Sequence, residues 1–223
     1  MTFDKKFKEA ISHLPSTEKD KLILRLLKKD LNLANRLYFD LVDTRTIDDR
    51  RLDVENRIKN RIERFSQHYS SPGYLMMDMR EISGEITEHV KIAKDKFGEV
   101  SLNLLMLNEV LTIHNKRILE ATQGKARKCC TYIIARAFKI LTLISKMHED
   151  LLLDFNDELE KLGQLLSEND YLMKTAIQNG FDVNWLLQSD IPDDIEQIHK
   201  DIRSQGYLTG RTYLRTSNYM RKV

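Results

Sequence analysis

The sequence predicts an all-α protein, and three observations predict it. Helix breakers are scarce, with 3 Pro and 8 Gly in 223 residues, whereas a β protein of this size needs many turns built on Gly, Pro, Asn or Asp. Leu, Lys, Glu and Ile abound, which favours helix. Apolar residues recur at alternating steps of four and three over long stretches, the signature of a buried helical stripe. The chain is 41% hydrophobic and 31% charged, the balance expected of long helices that bury a narrow stripe and show most of their surface to water. The length suffices for one large domain or two small ones.

A first short helix is predicted over residues 3–13, with Phe3, Phe7, Ala10, Ile11 and Leu14 on one side and Pro15 ending it. Ser16 or Thr17 then opens a second, with Glu18 and Asp20 in its first turn. Asp30 starts a third, carrying Leu33, Leu37, Phe39 and Leu41. This short-helix pair is of the kind found in helical repeat arrays, but no second copy follows at a fixed period, so a solenoid is not supported. Residues 46–68 predict a charged helix capped by Thr46 or Asp48 and striped by Ile47, Val54, Ile58, Ile62 and Phe65. Ser70-Ser71-Pro72-Gly73 breaks the pattern and is the best internal boundary.

The strongest periodicity follows. Leu75, Met79, Ile82, Ile86, Ala93 and Phe97 mark one stripe; Val100, Leu104, Leu107, Leu111, Ile118 and Ala121 a second. Ile134, Phe138, Leu141, Ser145, His148, Leu152, Phe155, Leu159, Leu162 and Leu166 mark a third. Heptad-like spacing suits helices crossing at about 20°. Gly98 and Gly124 sit where tight turns are needed. Residues 74–166 are therefore expected to form an up-down-up three-helix bundle whose last helix, roughly 40 residues over 126–166, is about 60 Å long. Short helices over 168–179 and 193–204 are expected to pack back, Pro192 opening the latter. The organisation predicted is 1–70, an N-terminal helical region; 74–166, the bundle; 167–205, short helices; and 206–223, a basic tyrosine-containing tail.

Composition excludes several function classes. The net charge of +2 and pI near 8.4 do not by themselves indicate nucleic-acid binding. The segment Met1-Thr2-Phe3-Asp4-Lys5-Lys6-Phe7-Lys8 is charged and does not read as a signal peptide. No window reaches about 18 uninterrupted apolar residues, so no membrane-spanning helix is expected. The two cysteines, Cys129 and Cys130, are adjacent, a placement that rarely forms a disulfide, and their scarcity fits a reducing, cytoplasmic setting. There is no phosphate-binding glycine loop, dinucleotide fingerprint, kinase set or nucleophile elbow.

Three groups of residues could carry chemistry. His89, His114 and His148 lie on or beside the apolar stripes, and helical bundles do host metal sites. A turn at Gly98, however, sets His89 opposite Leu107 and His114 opposite Ile82, about 10 Å apart along the axis, too far to share one ion through bonds near ~2 Å. They are expected to be polar core or rim positions; no metal or cofactor is predicted. Cys129 and Cys130 follow Lys125, Arg127 and Lys128 near a helix start, where positive charge lowers a thiol pKa, but no catalytic partner is identifiable and a structural thiol is expected. The third group is basic. Lys125, Arg127 and Lys128 cluster with Lys116 and Arg117 about the second bundle turn. After Asp201 the chain carries Arg203, Arg211, Arg215, Arg221 and Lys222 with no acid, interleaved with Tyr207, Tyr213 and Tyr219. Cations contact phosphates and tyrosines stack on bases, so this group is a candidate nucleic-acid interface.

No motif specifies an enzyme. The expected function is that of a non-enzymatic helical interaction or scaffold protein whose partner is another protein or a second copy. The reason is the distal stripe Leu152, Phe155, Leu159, Leu162 and Leu166, which overhangs the preceding helices and needs cover. The alternatives are a nucleic-acid-associated protein and a small-ligand or enzymatic site between the N-terminal helices and the bundle.

Overall fold

The computed structural model describes residues 3–209. Among them lie eleven α-helices and no strand: α1 (Lys5–Ser12), α2 (Ser16–Leu27), α3 (Leu31–Leu41), α4 (Ile47–Gln67), α5 (Pro72–Ala93), α6 (Lys96–Glu120), α7 (Gln123–Ile144), α8 (Asn156–Ser167), α9 (Asp170–Gln178), α10 (Asn184–Leu187) and α11 (Ile195–Ser204). Two short 3-10 turns, Glu149–Leu151 and Leu153–Phe155, precede α8. The all-α class holds, and no described helix is long and apolar enough to cross a membrane.

Local chemistry explains where the helices start. The Asp30 carboxylate accepts from Leu33 N–H at 3.0 Å. Thr46 and Asp49 form a reciprocal capping box on α4. Ser71 accepts from Tyr74 N–H, with Pro72 in the first position of α5. Asn169 caps α9 through Tyr171 and Leu172 N–H, and Gly180, at φ 68°, ends it.

Helix α6 is the axis of the molecule, packing against α4, α5, α7 and α8. It is buried almost all round: Leu104, Met106, Leu107, Val110, Leu111 and Ile118 are fully covered. Side-chain pairings fix the directions. Arg51 meets Asp95 and Ser66 meets His114, so α4 runs parallel to α6. Arg57 meets Glu85 and Arg61 meets Glu81, so α4 is antiparallel to α5. Lys139 meets Glu99 at 2.6 Å, the late part of α7 lying beside the start of α6. Asn108 donates to the Glu158 carbonyl at 3.0 Å and Asn115 to the Leu165 carbonyl at 2.7 Å, so α8 is parallel to α6. Beyond this bundle, α9 and α11 pack on α7, and α10 on α8.

Three expectations are corrected. The helix expected over 126–166 is two helices: α7 stops at Ile144 and the chain reverses before α8. The break falls where the apolar stripe is interrupted by Ser145 and His148, and the Ser145 hydroxyl bonds back to the Thr142 carbonyl at 3.2 Å. Reversal lays Phe155, Leu159, Leu162 and Leu166 against the body, where all four are buried. The overhang therefore does not exist, and its leucines need no partner. The expected turns also shift. The first is made by Lys94, in the left-handed region at φ 55°, and the Asp95 cap, while Gly98 lies inside α6. The second is made by Ala121 and Thr122, with Gly124 already in α7 and open space about its Cα.

Candidate functional site

Most of the exposed large apolar residues lie at the N-terminal end. Helix α2 packs on α3 and α3 on α5, yet no residue of α1, α2 or α3 is buried. Each has apolar side chains to spare. Leu22 and Leu27 of α2, and Ala34, Leu37 and Phe39 of α3, are half-buried in the contacts the helices make with each other and with the body. The remainder face water: Phe7 is 50% exposed, Leu24 60%, Leu31 72% and Leu41 78%, alongside Ile23, Leu26 and Leu33. Helix α4, of comparable amphipathicity, buries Val54, Ile58 and Ile62 to completion. Exposed apolar side chains concentrated on three consecutive helices in this way are the usual mark of an interaction surface. Its rim is basic: between Asp4 and Asp30 stand eight Lys and Arg against five Asp and Glu.

The three histidines occupy three separate surroundings. His89 is buried, its Nε2 3.0 Å from Asp95 Oδ2. Asp95 is a junction: it accepts from Arg51 at 2.7 and 2.8 Å and from Gly98 N–H at 2.8 Å. Burial pushes its carboxyl up, but the hydrogen bonds from His89, Arg51 and Gly98 together hold it well below the usual carboxylate range. Gly98 is required there, because a Cβ would lie 2.0 Å from Asp95 Oδ2 and 2.9 Å from Arg51 Nε.

His114 is fully buried and stacks against Phe65 and Tyr69. Its Nε2 lies 2.9 Å from Ser66 Oγ. The one hydroxyl proton of Ser66 goes to the Ile62 carbonyl at 2.6 Å, so His114 Nε2 is the donor and Nδ1, buried with no partner among the described residues, carries only its lone pair. Burial first, then the nearby Arg117 charge, lowers this histidine to about 4 and keeps it neutral. His148 is exposed in the reversal after α7, 3.2 Å from Asp150.

These positions do not assemble a reaction centre. Among the described residues no three His, Cys, Asp or Glu side chains are grouped to hold a metal ion. A cavity of about 260 Å³ does lie beside His89, between α4 and α5. Most of its charged walls are engaged: Arg57 with Glu85 and Arg45 with Asp53 across it, and Arg45 and Arg50 with Asp43 beside it, while Arg50 Nη1 is buried without a hydrogen-bond partner among the described residues. Cys129 and Cys130 are buried and outside any disulfide. Burial raises both thiols, Cys130 to about 12, against the activation that the neighbouring cations suggested.

Of the basic residues, Lys125, Arg127 and Lys128 are exposed on the first turns of α7. Arg127 and residues 206–209 line one cavity of about 710 Å³, so the start of the tail does come to the helix that bears the cluster. Arg211, Tyr213, Arg215, Tyr219 and Arg221 lie outside the described residues. Two features escaped the sequence. One is the Asp95 junction, since Arg51 and Asp95 are 44 positions apart. The other is the bare apolar face of α1–α3, since periodicity predicts a stripe and not what covers it. The chain matches no protein-family model, no curated protein and no solved structure.

Proposed function

We propose that the protein is a non-enzymatic interaction module, in which residues 3–42 form a docking arm carried on a rigid helical body. A single observation supports this: three consecutive amphipathic helices without one buried residue, joined to a bundle whose own apolar stripes are covered. The partner that suits the arm is a protein segment forming an amphipathic helix with an acidic rim, because the apolar face is flanked by an excess of three positive charges between Asp4 and Asp30 (eight less five). A cytoplasmic setting suits a chain whose two cysteines are buried as thiols.

The test uses a designed acidic amphipathic peptide with leucines at helical spacing, titrated into the full chain and followed by NMR. Shifts are expected on α1–α3, with affinity that falls as salt rises and is lost in the Leu24→Glu, Leu41→Glu double variant. Absence of binding, or binding that survives this variant, contradicts the proposal. Concentration-dependent dimerisation abolished by the same variant would assign the face to a second copy.

Nucleic-acid contact is a second reading, favoured by the meeting of Arg127 and residues 206–209 at one cavity. Its test is oligonucleotide affinity across salt: phosphate contacts require affinity to fall steeply as salt rises, and an affinity unchanged by removing residues 206–223 rejects it.

A further inference from the structure

Helix α5 treats its two sides differently. Toward α4, Glu81 and Glu85 neutralise Arg61 and Arg57. On the side toward α3 and α7, Arg80 and Lys91 form no ion pair among the described residues. Arg136 of α7 and Arg203 of α11 share this condition. The four cations line two cavities, of about 550 and 370 Å³, that share Thr87 and Arg136 as a common wall. The carboxylate lining them is Glu88; a further cation there, Lys139, is neutralised by Glu99 at 2.6 Å.

Arg136 is the built part of this cleft. It is half-buried, and its Nε donates to the Tyr132 hydroxyl at 3.0 Å while the guanidinium lies over the Tyr132 ring. Tyr132 is itself fixed by Ser83 Oγ at 2.7 Å, and Ser83 is buried. The guanidinium is thus held on one edge, and its two terminal nitrogens have no hydrogen-bond partner among the described residues. A guanidinium fork held by one edge and bare on the other is the arrangement that grips a phosphate through two parallel hydrogen bonds. Arg80 and Lys91 stand eleven positions apart on one helix, about 16 Å along its axis, which suits an extended polyanion better than a single phosphate.

We infer that the cleft between α5, α7 and α11 binds a small polyphosphate-bearing molecule, with the fixed Arg136 guanidinium on one phosphate and Arg80, Lys91 and Arg203 on the others. Asn32 of α3 borders the cleft, but the cations that would hold the phosphates lie on α5, α7 and α11 and none is in the arm, so variants of the cleft and of Leu24 and Leu41 separate its failure from that of the docking proposal.

Calorimetric titration of the full chain at low ionic strength with inorganic tripolyphosphate, ATP and adenosine tests this. Tripolyphosphate and ATP are expected to bind at a single site and adenosine not to bind. Arg136→Gln is expected to weaken binding by about ten-fold or more, as loss of a charge-assisted pair does. Because Arg136 is half-buried, the exposed pair Arg80→Gln, Lys91→Gln provides a second variant expected to weaken binding without touching the core. Lys125→Gln, Lys128→Gln is expected to leave affinity unchanged. The inference is overturned if tripolyphosphate does not bind, if both cleft variants bind as the parent does, or if the Lys125, Lys128 pair matters equally. Binding of a single-stranded oligonucleotide without binding of tripolyphosphate overturns it too, and assigns the face to nucleic acid.

Discussion

His114 and Asp95 show how single residues tie the fold to pH, in opposite chemical senses. His114 is held neutral in the folded chain, lowered from 6.5 to about 4. The unfolded chain binds its proton below 6.5, so acid favours unfolding. The stability this residue contributes is whole above pH 6.5 and lost as pH falls to about 4, a loss on the order of 3 kcal/mol. Urea denaturation between those pH values is expected to show that slope, and His114→Phe, which keeps the aromatic stack, to flatten it in part. His199, lowered by burial and by Arg203, adds in the same direction and remains. Asp95 acts lower on the scale. Its folded carboxyl is held down, so its contribution is present above the ordinary carboxylate range and disappears in stronger acid. Asp95→Asn breaks a buried ion pair and is expected to cost about 3 kcal/mol at neutral pH. Leu24→Glu, on an exposed position, is expected to change stability by less than about 0.5 kcal/mol. The same denaturation curves check both.

The helices themselves were legible as far as their stripes reached. The caps at Asp30 and Thr46 rest on local chemistry and were readable from a few adjacent residues; Ser71 reads in the sequence only as part of a boundary, and its cap on α5 came with the structure. The break in the third stripe was not. Residues 145–155 contain neither Pro nor Gly, and nothing local forbids helix; the reversal is favoured because it buries Phe155, Leu159, Leu162 and Leu166. What locks it is a polar ladder. Asn108 and Asn115, seven apart on α6, reach carbonyls seven apart on α8, and Asn169 closes the end by donating to Asn115 Oδ1 at 2.7 Å. Removing the middle of this ladder should loosen α8 first. Asn115→Ala leaves the Leu165 carbonyl and one of the two Asn169 amide hydrogens unpaired, the amide keeping its bond to the Asn115 backbone carbonyl, which costs about 2 kcal/mol. Hydrogen exchange is expected to accelerate in α8 and α9 more than in α5. Equal acceleration throughout would show that α8 is no separate unit.

At the scale of the whole molecule, the division is between a body that buries a continuous apolar core, though Leu153 and Ile177 stay exposed, and an arm that buries no residue. The body owes this to α6, covered on four sides by α4, α5, α7 and α8. The arm reaches the body through α3 on α5 and keeps its best apolar residues in water. The sequence hid this division because α1–α3 and α4 have the same kind of stripe; only the packing distinguishes them. Local opening costs least where few buried contacts must be broken. Amide hydrogen exchange of the full chain, alone and with the acidic amphipathic peptide, tests this most directly. The account predicts rapid exchange in α1 and α2 and slow exchange in α6 for the chain alone, with protection gained on peptide binding across Lys5–Leu41 and little change in the body. Protection of α1 and α2 equal to that of α6 without peptide, or a gain confined to the body, would contradict it.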